Sequence, residues 1–175
     1  RYAARAADLA RRLGDPGLAA SGYERLLERD RHDRDVWGPL LDLVRAKGDK
    51  DALEEKLREA IECAFDAAWR IQLRRERAAL LLDTRWEDAA AELAELLNED
   101  DEDTAAALQL TQLYERNGRH DELADLLDRR LTGARMRSDA ASVLALSLQL
   151  GARVTPSNPE RAIDVYRAAL DSSPE

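Results

Sequence analysis

Several residue types that mark particular protein classes are scarce in this chain. It has one cysteine, Cys63, so no disulfide can form within it, and we interpret that thiol as a small buried hydrophobe. Aromatic residues make up only 5% of the sequence and long β-branched runs are absent, which argues against a β-sandwich or barrel. No stretch of 18 apolar residues is present, so the sequence predicts no membrane-spanning helix.

Residues and motifs that carry chemistry are equally scarce. The only histidines, His32 and His120, are far apart, and with one cysteine they cannot supply the four ligands of a zinc site. The chain has no phosphate-binding loop, no dinucleotide fingerprint and no nucleophile elbow. We therefore predict that the chain is not an enzyme and that it takes no metal and no cofactor.

The charge balance narrows the range of partners. The chain carries 36 acidic and 27 basic residues, and its formal net charge of −9 disfavours generic nucleic-acid binding. Of the basic residues only Lys47, Lys50 and Lys56 are lysine, and together with abundant alanine this is typical of a GC-rich, bacterial genome. The chain begins at Arg1 without methionine, so we interpret it as a piece of a longer bacterial protein, expected to be cytoplasmic.

The clearest pattern that is present lies at residues 35–61. Its first half carries an apolar face at helical spacing, and its second half carries another. The first face consists of Trp37, Leu40, Leu41 and Val44, and the second of Leu53, Leu57, Ala60 and Ile61. We expect Gly48 to form a left-handed turn between two helices, with Asp33 or Asp35 capping the first and Asp49 or Asp51 the second.

Turn signals of the same kind recur along the chain. Gly14 and Gly48 are 34 residues apart, Gly118 follows after 70 more, and residues 83–86 occupy the midpoint between the last two. Gly151 comes 33 residues after Gly118 and extends the series. A period of about 34 indicates an array of helix pairs, because a single pair buries too little surface and must stack on a neighbour.

Individual residues in these units resemble the tetratricopeptide repeat (TPR) family, which favours Trp, Gly, Ala, an aromatic and Pro at fixed positions. The matching residues, unit by unit, are Gly14, Ala19 and Tyr23; Trp37, Gly48 and Ala60; Ala89; Tyr114 and Gly118; and Ala162, Tyr166, Ala169 and Pro174. The resemblance implies an all-α, right-handed α-solenoid of about five antiparallel helix pairs. It spans a single segment, 1–175, with units near 1–33, 34–67, 68–102, 103–136 and 137–175.

Three stretches are expected to lie outside helices. We predict loops at residues 132–135 and 152–157, the second as a lengthened turn before a helix that begins at Asn158 and Pro159. The acidic run 98–103 is interpreted as a loop between units whose carboxylates favour the start of the next helix. A cation site or an acidic hook for a basic partner is the alternative for that run.

The resemblance also implies a concave groove lined by the first helix of each unit. The polar residues that match the family's groove positions are Asp8, Arg11, Arg12, Asp42, Arg45, Arg74, Gln112, Glu115 and Arg116, and Leu108 makes the groove apolar in the fourth unit. Because arginine can grip a carboxylate with two parallel bonds, an acidic or C-terminal peptide is the expected partner. The alternative is that these side chains form ordinary solvated surface.

The sequence thus predicts a protein–protein interaction scaffold that binds a peptide or partner protein in its groove. The alternative is a spacer or regulatory array of a larger signalling protein or enzyme, with no ligand of its own; RNA binding is opposed by the acidic charge. The last helix carries more apolar surface than one neighbour can cover, which predicts self-association or contact with a further unit. The residues of that surface are Ile163, Val165, Tyr166, Ala169 and Leu170.

Overall fold

The computed structural model describes Ala10, Arg12 and residues 14–171, and all regular secondary structure within that part of the chain is α-helical. The predicted all-α class is therefore confirmed. Nine helices of 12 to 17 residues follow one another there. They are α1 Pro16–Leu27, α2 Arg34–Lys47, α3 Lys50–Cys63, α4 Ala67–Leu81, α5 Trp86–Glu99, α6 Thr104–Arg116, α7 His120–Met136, α8 Ala140–Val154 and α9 Pro159–Asp171.

Short acidic side chains begin most of these helices. Asp33 accepts a hydrogen bond from the backbone N–H of Asp35 (3.0 Å), and Asp49 accepts from the N–H of Asp51 (3.1 Å). A carboxylate at the position before a helix satisfies donors in the first turn that have no partner within the helix. Of the alternatives that the sequence offered for α2 and α3, the first aspartate of each pair is therefore the cap. The other helices capped in this way begin after Asp15, Asp66, Asp103 and Asp139.

Glycines in the left-handed conformation mark the turns that the sequence predicts. Gly14, Gly48 and Gly118 have φ values of +79°, +74° and +67°. A side chain at such an angle would be strained, which is why glycine recurs there. The spacing of about 34 residues therefore reflects a repeated turn geometry.

The chain divides into two compact units, the first ending at Glu99 and the second beginning at Asp100. In the N-terminal unit, each helix from α1 to α5 contacts the next, and two to six residues connect consecutive helices. Consecutive helices joined so tightly pack as antiparallel pairs. All eight apolar residues predicted for the hairpin of α2 and α3 are buried, among them Leu40 and Leu57, which are at most 1% exposed. Tyr23 from α1 and Trp69 from α4 complete this core.

The C-terminal unit is built in the same way from α6 to α9. Helix α7 contacts both α6 and α8, and α8 also contacts α9. Leucines at helical spacing on α7 face aliphatic residues on α8 and α9. The buried residues that form this core are Leu123, Leu127, Leu131, Ala134, Val143, Leu146, Leu150, Val154, Ala162 and Val165.

The predicted loop at residues 132–135 is wrong. Helix α7 continues through Gly133 to Met136, and Ala134 is completely buried in the core. The turn follows at residues 137–139, where Ser138 has φ +59°. A Cβ atom at Gly133 would lie 2.7 Å from a carboxylate oxygen of Asp101. The missing side chain at Gly133 therefore allows the Asp101 carboxylate to lie close to the backbone of α7.

The predicted turn at residues 152–157 is also wrong in its position. Helix α8 runs through Gly151 to Val154, and only residues 155–158 connect it to α9, where Asn158 accepts from the N–H of Arg161 (3.0 Å). A Cβ atom at Gly151 would lie 2.7 Å from the Tyr166 hydroxyl oxygen and closer still to the ring. Gly151 therefore makes room for an aromatic ring instead of forming a turn.

The last helix buries part of the apolar surface predicted for it. Val165 and Ala169 are buried and Tyr166 is half-buried, whereas Ile163 and Leu170 are 49% and 70% exposed. That another copy or a further unit covers Ile163 and Leu170 stays a prediction. Pro174 lies outside the described residues.

The contact between Gly151 and Tyr166 generates a stability prediction. We expect Gly151→Ala to lower the free energy of unfolding by about 1–3 kcal/mol, because the added methyl group overpacks the α8–α9 contact. Gly17 is a matched control inside α1, where a Cβ would meet only an Asp15 carboxylate oxygen at an ordinary contact distance of 3.6 Å. Gly17→Ala should raise the free energy of unfolding by up to about 1 kcal/mol through helix propensity. Urea unfolding followed by circular dichroism measures both, and equal effects at the two sites would contradict the packing role of Gly151.

Candidate functional site

The C-terminal unit contains a groove of about 880 Å³, hereafter the α6–α8 groove. Helix α6 contributes Thr104, Ala107, Leu108, Thr111, Gln112 and Glu115. Helix α8 contributes Leu148, Gln149, Ala152 and Arg153, and α7 contributes Leu123, Leu127 and Arg130. The α6 residues recur every three or four positions, so they share one face of that helix.

The groove has a buried apolar floor and exposed apolar side chains. Leu123 and Leu127 are at most 2% exposed and belong to the core as well as to the groove lining. Leu108 and Leu148, on two different helices, are 59% and 54% exposed. Leu108 lies in this lining, and its use in a binding groove stays a prediction.

Two of the three charged residues in the groove neutralise each other. The Arg153 guanidinium donates to the Glu115 carboxylate across the groove lining. This pair is close to half exposed, so water screens it and it contributes little to stability.

The third charged residue, Arg130, is unpaired. Its Nε is enclosed and has no hydrogen-bond partner in the described part of the chain. Burial lowers the pKa of Arg130, and the nearby positive charge of Arg137 lowers it further, while Asp101 opposes the change. Arginine nevertheless stays protonated in proteins, so the α6–α8 groove contains a half-buried positive charge that forms no ion pair with the residues that the structure describes.

The structure brings only some of the predicted groove residues to this site. Gln112 and Glu115 line it, and Arg116 is exposed at the end of the same helix. Asp8 and Arg11 lie outside the described residues, and Arg12 is exposed. Use of these residues for binding stays a prediction.

Two further predicted residues, Asp42 and Arg45, are bonded to each other in the N-terminal unit. The Arg45 Nη1 donates to Asp42 (2.7 Å), while its Nε and Nη2 donate to the two carboxylate oxygens of Glu76 (2.6 and 2.7 Å). These bonds, above all those that Arg45 donates to Glu76, raise the pKa of Arg45. Its guanidinium is therefore already satisfied by carboxylates of this chain.

The predicted groove residue Arg74 belongs to a mostly buried cluster of charges between α4 and α5. Its Nη1 donates to Glu92 (2.7 Å) and its Nε donates to Glu99 (3.2 Å). Arg70 grips the same Glu99 with two bonds of 2.8 and 2.9 Å. The hydrogen bond from Arg70 is the main reason why the pKa of Glu99 is lowered. Arg74 is 15% exposed and is held by these carboxylates.

The same cluster continues to α3 through Arg77. Its guanidinium donates to Glu92 and also to Glu54, with Nε 2.8 Å from the Glu54 oxygen. Arg85 reaches the other Glu54 oxygen at 2.6 Å. Burial alone would raise the pKa of Glu54, but the bonds from Arg85 and Arg77 together lower it. Three helices are thus held together by alternating arginine and glutamate side chains.

The acidic residues that open the C-terminal unit have partners of their own. Asp103 caps α6 by accepting from a backbone N–H at 3.0 Å, and Asp100 accepts from the N–H of Glu102 at 3.1 Å. Arg137 donates to both Asp101 and Glu102. The predicted loop at residues 98–103 is too long, because residues 98 and 99 form the end of α5 and only residues 100–103 connect it to α6. Among the described residues, no three histidine, cysteine, aspartate or glutamate side chains are grouped in a way that could hold a metal ion.

Sequence reasoning did not single out Arg130 or Arg153. Arg130 had a detectable signal, because it continues the apolar series Leu123 and Leu127 at helical spacing, where a charged residue is unexpected. Arg153 was assigned to a turn, and only the extension of α8 to Val154 brings it to Glu115.

Comparison with known proteins yields similar structures but no sequence family. No family model matches the chain, and no curated protein matches it. The match to a solved structure of the MamA protein includes 98% of this chain and 90% of the MamA chain, with 14% sequence identity and a TM-score of 0.48. The match to YrrB, described as a TPR protein with an unusual peptide-binding site, includes 99% of this chain and 86% of the YrrB chain, with 16% identity and a TM-score of 0.48.

A third similar structure is that of pilF from Pseudomonas aeruginosa, with 16% identity, coverage of 95% and 80%, and a TM-score of 0.44. The likeness to these proteins is one of helical architecture, and it says nothing about what this chain binds. No helix among the described residues is both long enough and apolar enough to span a membrane.

The buried charge cluster generates a prediction about Arg77. Replacing it by leucine leaves Glu54 and Glu92 buried with fewer partners, so Arg77→Leu should lower the free energy of unfolding by about 3–5 kcal/mol. Arg58, which is 51% exposed and 3.8 Å from Glu62, is the matched control. Arg58→Ala should change stability by less than about 1 kcal/mol. A loss of similar size in both variants, measured by urea unfolding, would contradict the structural role of the cluster.

The lowered pKa of Glu99 generates a prediction about acid stability. A carboxyl whose pKa is lower in the folded than in the unfolded chain stabilises the fold fully above its unfolded pKa, and this contribution is lost as the pH falls through its folded pKa. The Tm should therefore fall as the pH drops below about 4.5, and less steeply in Glu99→Gln. Replacing the exposed Glu62 by glutamine is the control and should leave the slope unchanged. If Tm falls as steeply with decreasing pH in Glu99→Gln as in the wild type, Glu99 does not cause the loss of stability in acid.

Proposed function

We propose that this chain is a protein-interaction scaffold and that a segment of a partner polypeptide binds in the α6–α8 groove. One observation carries the proposal: Leu108 and Leu148 are each more than half exposed, stand on different helices, and line one concavity. A single exposed leucine needs no explanation, but two that line the same groove are typical of a surface that is covered in use.

The remaining lining suits a polypeptide ligand. Gln112 and Gln149 can both donate to and accept from the main chain of a bound segment. The volume of about 880 Å³ falls within the range of known ligand sites, about 300–1,000 Å³. Apolar side chains with a few polar groups that fix orientation are the usual composition of such sites.

Binding without catalysis is proposed because of the same lining. The groove residues include no histidine, cysteine or lysine, and the carboxylate of Glu115 is paired with Arg153. A nucleic-acid ligand is disfavoured by the formal charge of −9. A cytoplasmic, bacterial setting and self-association through the terminal helices belong to the same proposal and rest on composition and on exposed Ile163 and Leu170.

For the N-terminal unit, the internal charge pairs favour a spacer or regulatory role. Arg45 and Arg74, the arginines predicted to receive a peptide there, are bonded to Asp42, Glu76, Glu92 and Glu99 of the same unit. An acidic peptide would have to displace these carboxylates before it could bind. We therefore propose that this unit has a fixed shape and that partner recognition belongs to the C-terminal unit.

Selection from a displayed library of random short peptides tests the proposal. Wild-type protein should enrich peptides with aliphatic residues, and synthetic copies should lose affinity roughly ten-fold or more when either groove leucine is replaced, as in Leu108→Asp or Leu148→Asp. The matched control is Leu18→Asp, because Leu18 is 64% exposed on α1, outside the groove. No enrichment, or equal affinity in the groove and control variants, would refute the proposal.

A further inference from the structure

We propose that Arg130 is the anion receptor of the α6–α8 groove, so that the bound partner segment presents a single carboxylate beside aliphatic residues. This inference rests on the function proposed above and specifies the chemistry of the partner. It concerns a residue on α7 that lines the same groove as the exposed leucines and lies outside the set predicted from the sequence.

Among the residues that the structure describes, Arg130 differs from the other enclosed arginines because no carboxylate is bonded to it. Arg70, Arg74 and Arg77 are 28%, 15% and 13% exposed, and each donates to at least one glutamate. Arg130 is likewise partly buried, yet its enclosed Nε has no hydrogen-bond partner in the described part of the chain. Each of these three buried guanidinium groups is accompanied by a carboxylate, whereas the described residues supply no carboxylate bonded to Arg130.

The acids near Arg130 are bonded to another residue. Asp101, whose charge favours protonated Arg130, accepts from Arg137, which also donates to Glu102. Within the groove, Glu115 is bonded to Arg153. The guanidinium is thus held partly dehydrated and unpaired in the free protein, and the cost of removing its water is met during folding. A ligand carboxylate that reaches it would gain the charge-assisted bonds without that cost.

The charge and the surroundings of Arg130 favour one carboxylate over other anions. The charged lining residues are Glu115, Arg130 and Arg153, so the groove carries one net positive charge. One carboxylate balances that charge, whereas a phosphate group at neutral pH would exceed it. Exposed Leu108 and Leu148 favour aliphatic neighbours on the ligand, which a peptide supplies and an inorganic anion does not.

Peptides enriched in the library selection provide the first test. In each, aspartate is replaced by asparagine, glutamate by glutamine, and the terminal carboxylate by an amide. We expect one replacement to weaken binding to the wild-type protein roughly ten- to hundred-fold, which corresponds to a charge-assisted bond. In Arg130→Met the acid and amide forms of the peptide should bind equally. Arg130→Lys keeps the positive charge but loses the paired N–H donors of the guanidinium, so its preference for the acid form should lie between those of the wild type and Arg130→Met.

A stability measurement separates a receptor from a residue that only supports the fold. Removing an unpaired, partly buried charge should stabilise the protein, so Arg130→Met should raise Tm by about 2–4 °C while it weakens peptide binding. Arg116→Met is the matched control, because Arg116 is exposed at the end of α6, and it should change neither quantity. A lower Tm in Arg130→Met would indicate a structural role and would overturn the inference.

Small probes test Arg130 independently of any selected peptide. The Nε–H signal of Arg130, assigned by its loss in Arg130→Lys, is followed by ¹⁵N NMR while 4-methylpentanoate, 4-methylpentanamide or inorganic phosphate is added. The carboxylate should shift that signal to saturation and the isosteric amide should not. An amide that acts as well as the carboxylate, or a phosphate that binds more tightly, would overturn the assignment of a single carboxylate.

The combined outcomes distinguish the two proposals. If peptides bind through Leu108 and Leu148 but Arg130→Met binds them unchanged, the receptor inference is wrong and the scaffold function stands. If no peptide is enriched, the scaffold function fails, and the receptor inference falls with it unless 4-methylpentanoate shifts the Arg130 signal in preference to the amide.

Discussion

Two paired helices that each carry an apolar stripe cannot bury both stripes completely against each other. Each pair must therefore pack against neighbouring helices, and the rest of the fold depends on this constraint. Trp37 and Leu57 of the hairpin α2–α3 are buried in a core to which α1, packed on α2, and α4, packed on α3, also contribute. Helices that contact neighbours on two sides must carry two interfaces. In the N-terminal unit, α4 adds ionic contacts to its buried apolar ones: Arg77 bonds to a glutamate of α3, and Arg70 and Arg74 bond to glutamates of α5. In the C-terminal unit the core between α7, α8 and α9 is aliphatic.

The all-α class and the positions of the helix pairs could be predicted because they depend on local rules. A glycine with positive φ, an aspartate before a helix and a repeating apolar stripe each act over a few residues, as at Gly14, Gly48 and Gly118. The two loops predicted wrongly, at residues 132–135 and 152–157, lie at or next to glycines that are needed for tertiary packing and not for a turn. Gly133 and Gly151 lie inside helices and make room for Asp101 and Tyr166, residues 32 and 15 positions away in the sequence. Spacing alone cannot separate a turn glycine from a packing glycine.

The candidate site was predictable to a smaller extent for a related reason. The position of Leu108 follows from the helical register of α6, and the structure places it in the groove. Whether an arginine is free depends on acids elsewhere in the fold: Arg45 and Arg74 are satisfied by Glu76 and Glu99, whereas Arg130 is not. Counting arginines on a predicted face therefore overstates the number of available guanidinium groups in the N-terminal unit and overlooks one in the C-terminal unit.

The contact between Gly151 and Tyr166 also bears on how this sequence can change over time. No side chain fits at position 151 while a tyrosine ring covers it, and a smaller residue at position 166 would leave a void beside the glycine. The two positions are therefore free to vary only as a pair. We therefore expect the two positions to covary between α8 and α9 in related sequences, more than either is conserved alone.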